Sequence, residues 1–589
     1  MKGFYGRMLL VNLSDKTYEI IPLAEDTLSF GLGGKGLATQ LLLEYTPKGV
    51  DSLSPENALI FATGPATGSS IWGSCRYGAF TKSPQTGFYS ESYSGGKTPE
   101  ALDSTGFDAI LIKGASEGLL TLVISPDGVV FHPAEDLHGL STYETEDVVT
   151  ERYRRDSKGW KTGAIVIGPA GENGVSFSVI ENDYWRSAGR TGTGAVMGAK
   201  GIKAIVFTGN RKRTLYDPEA VKRLAKEIAR EGKNNPGMQG YKKFGTSGMV
   251  EVMNTNKAFP TRYWSEGRFE NWEKISAEAL HARLDVIPHS CLKCFLACGR
   301  LSTVKHGRHA GLKIEGPEYE TIFAFGGLCC IDQVEEIAYL NDLCDALGMD
   351  TISAGNLCAF TIEAVRRKRV DFQVDYGDVD GIANLLKLMA RREGIGDILA
   401  RGIQFAAKAW GLEELAMHVK GLEPPGYDPR VFKGVGLGYA VSDRGACHLR
   451  ATFYKAELSG MIDRTQTQGK AKMLIDFEDR LILFDTLILC RFYRDLYPWE
   501  VLGDIIHALT GLKTDKDTLS KIAGNIATAV RRFNTREGLA KEHDRLPSRF
   551  HRQAINQGDI ITQEELEAMV ADYYRLRGWD EEGRPVKEL

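Results

Sequence analysis

Residues 291–298 read Cys-Leu-Lys-Cys-Phe-Leu-Ala-Cys and carry three of the chain's ten cysteines. The spacing Cys291-x2-Cys294-x3-Cys298 lets three thiolates converge on one metal centre from a single loop and helical turn. Four thiolates suit either a tetrahedral zinc ion or an iron–sulfur cluster, and the spacing alone favours neither. A fourth ligand must therefore come from another segment, which the fold has to bring to this one.

Length and charge limit the class of protein. A chain of 589 residues exceeds what one hydrophobic core organises, so about two to four domains are expected. The 73 basic and 77 acidic residues give a formal net charge of -4, which provides no overall attraction to nucleic acid or to an anionic membrane. No apolar signal segment opens the sequence, and the longest apolar run, residues 481–490, is interrupted by Asp485. We expect no membrane span and a cytoplasmic, reducing location without disulfides.

Residues 1–212 are rich in strand patterns and punctuated by glycine. They contain two predicted hairpins, each closed by a short polar turn, and three further predicted strands. The hairpins are Met8–Val11 with Tyr18–Ile21 and Thr121–Ile124 with Val129–His132, and the other strands are Ala164–Ile167, Val175–Ile180 and Ala204–Thr208. A mainly antiparallel sheet domain is expected.

Two glycine-rich stretches lie in this region. Residues 31–36, Gly-Leu-Gly-Gly-Lys-Gly, resemble a phosphate loop but follow a polar segment and not a buried strand, so we favour tight helix packing. Residues 186–200 combine glycines with Arg186 and Arg190. Backbone amides can approach an anion there while the guanidinium groups clamp it, which favours a phosphate or pyrophosphate ligand over a structural turn.

After Arg211, amphipathic helical patterns replace the strand patterns. Asp217 and Pro218 are typical of a helix start, and Thr562 with Glu565 forms a capping-box pattern. A turn at residues 421–426, Gly-Leu-Glu-Pro-Pro-Gly, divides this helical part into two. The predicted helices are Glu219–Glu231, Val334–Leu347, Ala383–Arg392, Trp499–Leu509, Lys521–Asn534 and Gln563–Arg577.

A short pattern occurs twice in the helical part. The segments from Asp345 to Asp350 and from Asp485 to Cys490 each begin with Asp and end in a ligand-type residue. Each first Asp can accept paired hydrogen bonds from a ring N–H and an amino group of a polar heterocycle, although Asp at a helix end is usually only a cap. The second copy ends at Cys490, 192 positions after Cys298, which makes Cys490 our candidate for the fourth thiolate.

These patterns belong to a longer ordered set. The set comprises 73–77 GSCRY, 81–87 TKSPQTG, 94–96 SGG, 188–198 AGRTGTGAVMG, the cysteine triplet, 316–320 GPEYE, both Asp motifs, 427–430 YDPR and 444–448 RGACH. In this set the chain resembles the tungsten-containing aldehyde:ferredoxin oxidoreductase family over nearly its whole length.

The resemblance implies an α+β protein with a β-rich pterin-binding domain at 1–212 and two mainly helical domains, at 213–420 and 421–589. The first helical domain carries the cysteine triplet and the first Asp motif, and the second carries the other Asp motif and the fourth cysteine. The implied cofactors are a tungsten bis-pyranopterin (tungstopterin), a [4Fe-4S] cluster on Cys291, Cys294, Cys298 and Cys490, and Mg2+ bridging the pterin phosphates. The residues implied at the pterins are Arg76, Gly95, Arg186, Ser187, Gly189, Arg190, Asp345, Met349, Asp350, Arg450, Asp485, Leu489 and Cys490.

Several positions depart from the family's pattern. Tyr93 stands where the family often has Asn, so backbone carbonyls and phosphates would have to hold Mg2+. Met349 replaces Leu in the first Asp motif, and Ile488 replaces Gly in the second. Some members hold an iron at the subunit interface with a Glu-x-x-His pair, and Tyr339 and Asp342 occupy that place here. An oligomer without an interfacial iron is therefore expected.

The implied activity is oxidation of a small aldehyde to a carboxylic acid, with electrons passing through the cluster to ferredoxin or to an iron–sulfur or flavin partner subunit. Within the family, the alternative is the tungsten subunit of an aromatic acyl-thioester reductase. A protein of another class would carry only a cluster for electron transfer, or zinc in its place. Elemental analysis separates these classes, since the enzyme alone needs tungsten with iron.

Glu320 and His448 are the catalytic candidates. From the residues alone, the structural interpretations are favoured, with Glu320 as a helix-start carboxylate and His448 as a hydrogen-bonded core imidazole. The family resemblance instead favours catalytic roles for both residues. Oxidation of an aldehyde or its hydrate needs one group to remove a proton and a donor to polarise the carbonyl oxygen. We assign Glu320 as the base and His448 as the donor, with the exchanged roles left open.

Overall fold

A strand-rich first third precedes a mainly helical remainder in the computed structural model, which describes residues 1–155 and 157–586. The predicted α+β class is confirmed. The strands are β1 (Arg7–Asn12), β2 (Thr17–Pro22), β3 (Leu59–Ala62), β4 (Tyr77–Lys82), β5 (Tyr89–Ser94), β6 (Ala109–Lys113), β7 (Leu120–Ser125), β8 (Gly128–Pro133), β9 (Lys161–Val166), β10 (Ile180–Asn182), β11 (Arg186–Ala188), β12 (Ile202–Gly209), β13 (Leu284–His289), β14 (Gly299–Val304) and β15 (Lys313–Glu315).

Helices flank the sheets and form most of the chain after residue 217. They are α1 (Glu25–Gly31), α2 (Gly34–Tyr45), α3 (Thr98–Ser104), α4 (Thr142–Tyr153), α5 (Pro169–Glu172), α6 (Thr193–Ala199), α7 (Pro218–Asn234), α8 (Pro236–Phe244), α9 (Met249–Thr255), α10 (Ala277–Arg283), α11 (Tyr319–Thr321), α12 (Val334–Leu347), α13 (Thr351–Arg366), α14 (Val379–Arg391), α15 (Ile395–Ala400), α16 (Ile403–Trp410), α17 (Lys433–Val441), α18 (Tyr454–Leu458), α19 (Lys470–Leu487), α20 (Trp499–Thr510), α21 (Lys516–Arg536), α22 (Ser548–Arg552) and α23 (Gln563–Arg577). Among the described residues, none of these helices has the length and apolar composition needed to cross a membrane.

Two six-stranded mixed sheets build the N-terminal part. Their strand orders are β2-β1-β6-β3-β4-β5 and β11-β10-β9-β12-β7-β8. One neighbouring pair in each sheet is parallel, β1 with β6 and β7 with β12, and the other pairs are antiparallel. Apolar side chains from both sheets, such as Phe61 and Phe207, share one buried core. The sheets are mainly antiparallel, as expected, and they pack face to face.

Elements with strong local signals lie where the sequence predicts them. The β1–β2 hairpin pairs Met8 with Ile21, and β7 pairs with β8. Helix α7 begins at Pro218 after Asp217 caps it, accepting the N–H of Ala220 at 2.9 Å. Helices α12 and α23 have their predicted bounds, and α23 opens with the predicted capping box. Turn and capping chemistry is local, so these elements need no information from the rest of the chain.

The predicted strand Val175–Ile180 is wrong for all but its last residue, because β10 covers only Ile180–Asn182. The N–H of Ser176 donates to the carbonyl of Ala400, and that of Val179 donates to the carbonyl of Gly348. Val175 and Phe177 are buried in the core of the helical region. The segment is therefore apolar because it passes from the sheet region into the core of the helical region. Its backbone N–H groups at Ser176 and Val179 donate to helix ends and not to a sheet.

The expectation that the cysteine triplet lies on a loop and a helical turn is also wrong in its second half. Strands β13 and β14 form an antiparallel hairpin in which His289 pairs with Gly299, and β15 completes a three-stranded sheet. Residues 290–298 form the loop of this hairpin and contain no helix. We call residues 284–304 the cysteine hairpin. The hairpin closure holds the loop ends together, so the three thiols share one short loop with fixed ends.

The glycines within residues 33–36 allow tight packing, as expected. Lys35, which lies between them, forms buried ion pairs. Gly34 has a φ of +39°, and a Cβ there would lie 2.3 Å from the carbonyl oxygen of Asp485. A Cβ on Gly64 would lie 2.7 Å from the carbonyl oxygen of Thr486. Lys35 Nζ lies 3.0 Å from both Glu91 Oε1 and Asp443 Oδ2. The end of α19 is thus seated directly against backbone of the N-terminal part.

Candidate active site and cysteine centre

One glycine ties the fourth candidate cysteine to the cysteine hairpin. The N–H of Cys490 donates to the carbonyl of Gly73 at 2.8 Å, and the N–H of Gly73 donates to the carbonyl of Lys293 at 2.8 Å. The N–H of Leu292 donates to the carbonyl of Gly96. Cys490 follows α19, so these bonds bring a segment from the C-terminal third to the loop of residues 290–298. The structure therefore gathers Cys490 with the three predicted thiols.

Aromatic and glycine residues shape the space around the thiols. Tyr493 Oη lies 3.5 Å from Cys294 Sγ and accepts the N–H of Phe295 at 3.0 Å. A Cβ on Gly95 would lie 2.8 Å from Cys291 Sγ, so glycine at this position avoids a steric clash with that thiol. Burial, with the nearby Cys490 thiol, raises the pKa of Cys294.

Positively charged side chains stabilise the thiolate of Cys291 at this centre. Arg76 Nη2 lies 3.8 Å from Cys490 Sγ, and Nη1 donates to the carbonyl of Tyr93 at 3.3 Å. A hydrogen bond from Cys75 and the charges of Arg186 and Arg76 lower the pKa of Cys291 to about 5, against the effect of its burial. Arg76 thus spans from strand β5 to the fourth cysteine.

Within residues 1–155 and 157–586, no group of three or more His, Cys, Asp or Glu side chains is arranged to hold a single ion. All ten cysteines are free thiols. The four gathered cysteines nevertheless provide a soft donor set of the kind that iron–sulfur clusters take, and Gly95 keeps space open beside one of them. The residues present fit such a group.

The predicted anion loop begins in β11, the second strand of the short hairpin β10–β11. The polar side chains of the loop point in two directions. Ser187 Oγ donates to Glu181 Oε1 at 2.7 Å, and Arg186 pairs with Glu315. Arg190 has a φ of +67° and reaches across to the helical region, where its Nη1 donates to the carbonyl of Ala446 at 2.8 Å. A positive φ at a non-glycine residue is uncommon and concentrates at functional sites. The left-handed backbone at Arg190 directs its side chain toward the helical region.

The first Asp motif lies close to that loop. Asp345, near the end of α12, accepts a hydrogen bond from Asn341 Nδ2 at 2.7 Å, and burial with the nearby Asp342 raises its pKa well above the usual range. Met349 forms a backbone bridge with Ser178. Asp350 caps α13 and lies 3.6 Å from Arg190 Nε. The loop and the motif, predicted separately, form one polar group.

The second Asp motif lies among positive charges. Arg491 and Arg450 contact Asp485, the latter with its Nη1 3.2 Å from Asp485 Oδ2. Burial alone would raise the pKa of Asp485, but these two guanidinium groups and Lys35 lower it. Leu489 is buried beside Cys490. The first aspartates of the two motifs therefore differ in charge. The raised pKa of Asp345 favours its neutral carboxyl, and the lowered pKa of Asp485 favours its carboxylate.

Glu320 and His448 face each other in the interior. Glu320 Oε1 lies 3.6 Å from His448 Nε2, and Glu320 Oε2 accepts the N–H of Gly426 at 3.0 Å. Burial raises the pKa of Glu320 to about 7, although the Gly426 hydrogen bond and Arg190 lower it. Burial, with the charges of Arg190 and two other arginines, lowers the pKa of His448 well below 6.5. Glu320 also precedes the π-helical turn Ile322–Gly327, a distortion often found at functional sites.

Several buried polar atoms at the predicted site have no hydrogen-bond partner among the described residues. An unpaired buried donor or acceptor costs about 1–3 kcal/mol, so a ligand that pairs with these atoms would be stabilised there. The atoms at this site are Arg76 Nε, Glu181 Oε2, Arg190 Nε, Glu320 Oε1, Glu423 Oε1, Arg444 Nε, His448 Nδ1, and Nε and Nη2 of Arg450. Guanidinium donors suit phosphates and carboxylate acceptors suit ring N–H groups, so the set fits a phosphorylated pterin.

Sequence reasoning missed two buried carboxylates of this set. Glu181 is fully buried, and burial with Asp345 nearby raises its pKa well above the usual range. Glu423 accepts hydrogen bonds from Ser353 Oγ and Gln85 Nε2 at 2.7 and 3.0 Å, and burial raises its pKa to about 7. Glu181 lies in a strand and Glu423 in the turn that marks the break at residue 421. Only the turn carries a local signal, its Pro-Pro-Gly sequence, and that signal gives no hint of a buried acid.

Known proteins resemble this chain over its full length. The family description "Aldehyde ferredoxin oxidoreductase, N-terminal domain" matches residues 8–209, and "domains 2 & 3" of the same family matches residues 223–589. The tungsten-containing aldehyde ferredoxin oxidoreductase of Pyrococcus furiosus is 35% identical, and that of Thermococcus kodakarensis 36%, each alignment covering 100% of this chain and 98% of the relative.

Two further proteins are similar at greater distance. The WOR-like subunit of an aliphatic sulfonate oxidoreductase from Pyrococcus furiosus is 29% identical over 100% of this chain and 96% of the relative. The BamBC active-site complex of benzoyl coenzyme A reductase has the same fold, with a TM-score of 0.84 at 24% identity over 99% of this chain and 96% of that one. From the two family matches and the full-length identities, the chain belongs to the aldehyde ferredoxin oxidoreductase family and is an oxidoreductase.

Proposed function

We propose that the chain oxidises a small aldehyde to the carboxylic acid, using a tungstopterin, and passes the electrons through a [4Fe-4S] cluster to ferredoxin or to a partner redox subunit. The observation that carries this proposal is the buried pair of Glu320 and His448, each with a buried atom that has no hydrogen-bond partner. A structural carboxylate–imidazole pair would satisfy its own atoms. This pair leaves Glu320 Oε1 and His448 Nδ1 for something else.

Two sets of residues would hold the two pterins. Asp345 and Asp350, with the loop of residues 186–190, would hold one, and Asp485 with Arg450 would hold the other. Arg76 would lie between the pterins and the cluster, beside Gly95. When bound, the tungsten group supplies the two-electron acceptor for aldehyde oxidation. Mg2+ would rest on pterin phosphates and backbone carbonyls, because Tyr93 supplies no carboxamide.

Glu320 manages the proton that leaves the attacking oxygen. Converting an aldehyde and water into an acid releases two protons and two electrons, so a base must take up a proton at the reacting centre. A carboxylate with a pKa of about 7 is ionised in about half the molecules at neutral pH and is matched to this task. Its Oε1 is the unpaired atom, while Gly426 fixes Oε2 and so sets the orientation of the carboxylate.

His448 orients and polarises the carbonyl oxygen. Its lowered pKa keeps the imidazole neutral, so one ring nitrogen is a donor and the other an acceptor. A neutral N–H donor stabilises developing negative charge on oxygen without transferring a full proton. Burial and the charges of three arginines thus disfavour a positive charge on this imidazole.

The same proposal covers assembly and location. We propose domains at 1–212, 213–420 and 421–589, an oligomer without an interfacial iron, and a cytoplasmic protein whose cysteines stay reduced. Limited proteolysis followed by mass spectrometry tests the first boundary, since cleavage is expected first in the exposed segment near residue 212 and not in the buried turn at residue 421.

An activity screen tests the proposed reaction. The purified, metal-loaded chain is assayed with a viologen acceptor on aliphatic and aromatic aldehydes, and in the reducing direction on aromatic acyl-thioesters, with tungsten and iron measured on the same samples. We expect aldehyde oxidation with both metals present. Turnover of an acyl-thioester alone would replace the proposal by its alternative within the family, and iron without tungsten or zinc without iron would exclude the enzyme.

A further inference from the structure

The surface next to the cysteine hairpin is strongly basic. Helices α7 and α8 border the hairpin: a Cβ on Gly232 of α7 would touch the ring of Phe295, and one on Gly245, just after α8, would lie 2.7 Å from the carbonyl oxygen of Cys298. Buried Arg300 donates from Nη1 to the carbonyls of Lys242 and Lys243, both at 2.9 Å. The backbone of α8 is thus fixed to the hairpin, while its two lysine side chains stay exposed.

The charge of this surface opposes that of the whole chain. Residues 222–243 hold seven basic and two acidic side chains, whereas the complete chain has a formal net charge of -4. Residues 286–298 of the hairpin contain no acidic residue and add the exposed Lys293. A local positive field on an otherwise acidic protein steers and orients a negatively charged partner.

An apolar side chain on the hairpin loop completes the surface. Leu292 is 37% exposed, although it is a large hydrophobic residue. Leu292 and Lys293 stand between Cys291 and Cys294, so they form the outer side of the loop whose thiols face inward. An apolar centre with a charged rim is the usual anatomy of a protein interface.

We propose that these residues form a docking surface for an acidic iron–sulfur electron carrier protein. The surface, here called the basic hairpin face, consists of Leu292, Lys293, Lys233, Lys242 and Lys243. The inference rests on the proposed function, since it takes the cysteine centre as the point where electrons leave. A carrier seated on this face would have only the loop of residues 290–298 between its own cluster and that centre.

Charge reversal at two exposed lysines tests the proposal. The holoenzyme variant Lys242→Glu/Lys243→Glu is compared with Lys387→Glu/Lys408→Glu, which makes the same charge change at exposed positions of α14 and α16. The probe is a small, acidic ferredoxin with two [4Fe-4S] clusters. At low ionic strength we expect the Kd and the ferredoxin KM of the first variant to rise at least about tenfold, because close opposite charges govern such encounters. The control should match the unchanged chain, and viologen-linked turnover and iron content should match in all three.

Several results would overturn the inference. Equal ferredoxin affinity of the two variants would do so, as would a loss of self-association without a loss of ferredoxin binding, measured by sedimentation. If the double variant loses iron, Lys233→Glu at the end of α7 replaces it and must show a weakened, less salt-dependent affinity. Absence of aldehyde turnover in the unchanged chain would count against the proposed function alone, since ferredoxin binding is measured without turnover.

Discussion

Glu320 and His448 lie 3.6 Å apart, yet they do not form a stable ion pair, because their pKa values shift away from the charged forms. Burial disfavours charge on both groups, and Arg190 and its neighbours disfavour a positive imidazole further. Environments that hold two titratable groups in different protonation states assign acid and base roles. At neutral pH the pair therefore offers an ionisable carboxylate beside a neutral N–H donor.

Substitution at this pair should remove catalysis and leave the metals in place. We expect Glu320→Gln or His448→Asn to lower kcat/KM for an aldehyde by about 100-fold or more, the scale of a positioned acid or base. Tungsten and iron contents, measured by plasma mass spectrometry, should stay at the level of the unchanged chain. Variants with full metal content and nearly full activity would leave both residues with a structural role only.

The acid limb of the pH profile should belong to Glu320. Its pKa is raised to about 7, so the ionised, basic form is lost as the pH falls below 7. Activity should therefore fall with decreasing pH and approach a tenfold loss per unit below about pH 6. In Glu320→Gln the residual activity should lack this limb. A limb of unchanged position in the variant would assign the titration to another group.

At the scale of elements, the cysteine hairpin supplies three thiols and the segment after α19 supplies the fourth. Cys490→Ala should lower the iron content and remove the electron resonance signal of the reduced cluster, because one thiolate closes the coordination between distant segments. Faster thermal inactivation should accompany the loss. Cys358→Ala is the control, since that buried cysteine lies in α13 in the core of the helical region. Full iron and an unchanged signal in Cys490→Ala would contradict the ligand assignment.

The contact of α2 with α19 should tolerate no side chain at Gly34. A Cβ there meets the Asp485 carbonyl at 2.3 Å and the φ is positive, so Gly34→Ala should destabilise by about 2–4 kcal/mol. Gly240→Ala is the matched control, because a Cβ at that helical position meets nothing within 4 Å. It should stabilise by up to about 1 kcal/mol. Thermal denaturation of both variants checks the difference, and equal melting temperatures would contradict the close contact.

Local signals and long-range contacts explain what could be predicted. Thr562 and Glu565 fix the start of α23 through their own hydrogen bonds, so four residues suffice to place it. The segment Val175–Ile180 has a strand's composition, but its donors reach Gly348 and Ala400, which no local window contains. Strand β13 includes Pro288 and the exposed Asp285 and so lacks a clear strand pattern. The same division applies to the candidate site, since its motif residues carry a sequence signal and the isolated Glu181 carries none.

At the scale of the whole molecule, the positions that would hold an interfacial iron are engaged within the chain. The ring of Tyr339 stacks on His309 with centroids 4.3 Å apart, and Asp342 Oδ1 accepts Tyr143 Oη at 3.1 Å. We expect any oligomer to contain about four irons per chain, those of one cluster. Plasma mass spectrometry on the size-fractionated holoenzyme measures the ratio. A dimer with one further iron per pair of chains, lost on Asp342→Ala, would contradict this expectation.

The joint between the end of α19 and the N-terminal part is made of backbone on both sides. Gly34 and Gly64 face the carbonyls of residues 485–487 without intervening side chains. Apart from the Ile488 side chain beside Gly34, such a joint has no rotamers, so it offers few alternative packing states as temperature rises and loses little side-chain entropy when it forms. Asp485 and, five residues later, Cys490 therefore keep their distance from Arg76 and Gly73 for as long as the fold persists. A change in the electron-transfer rate on heating would then reflect the chemistry of the cysteine centre and not a movement of Asp485 or Cys490.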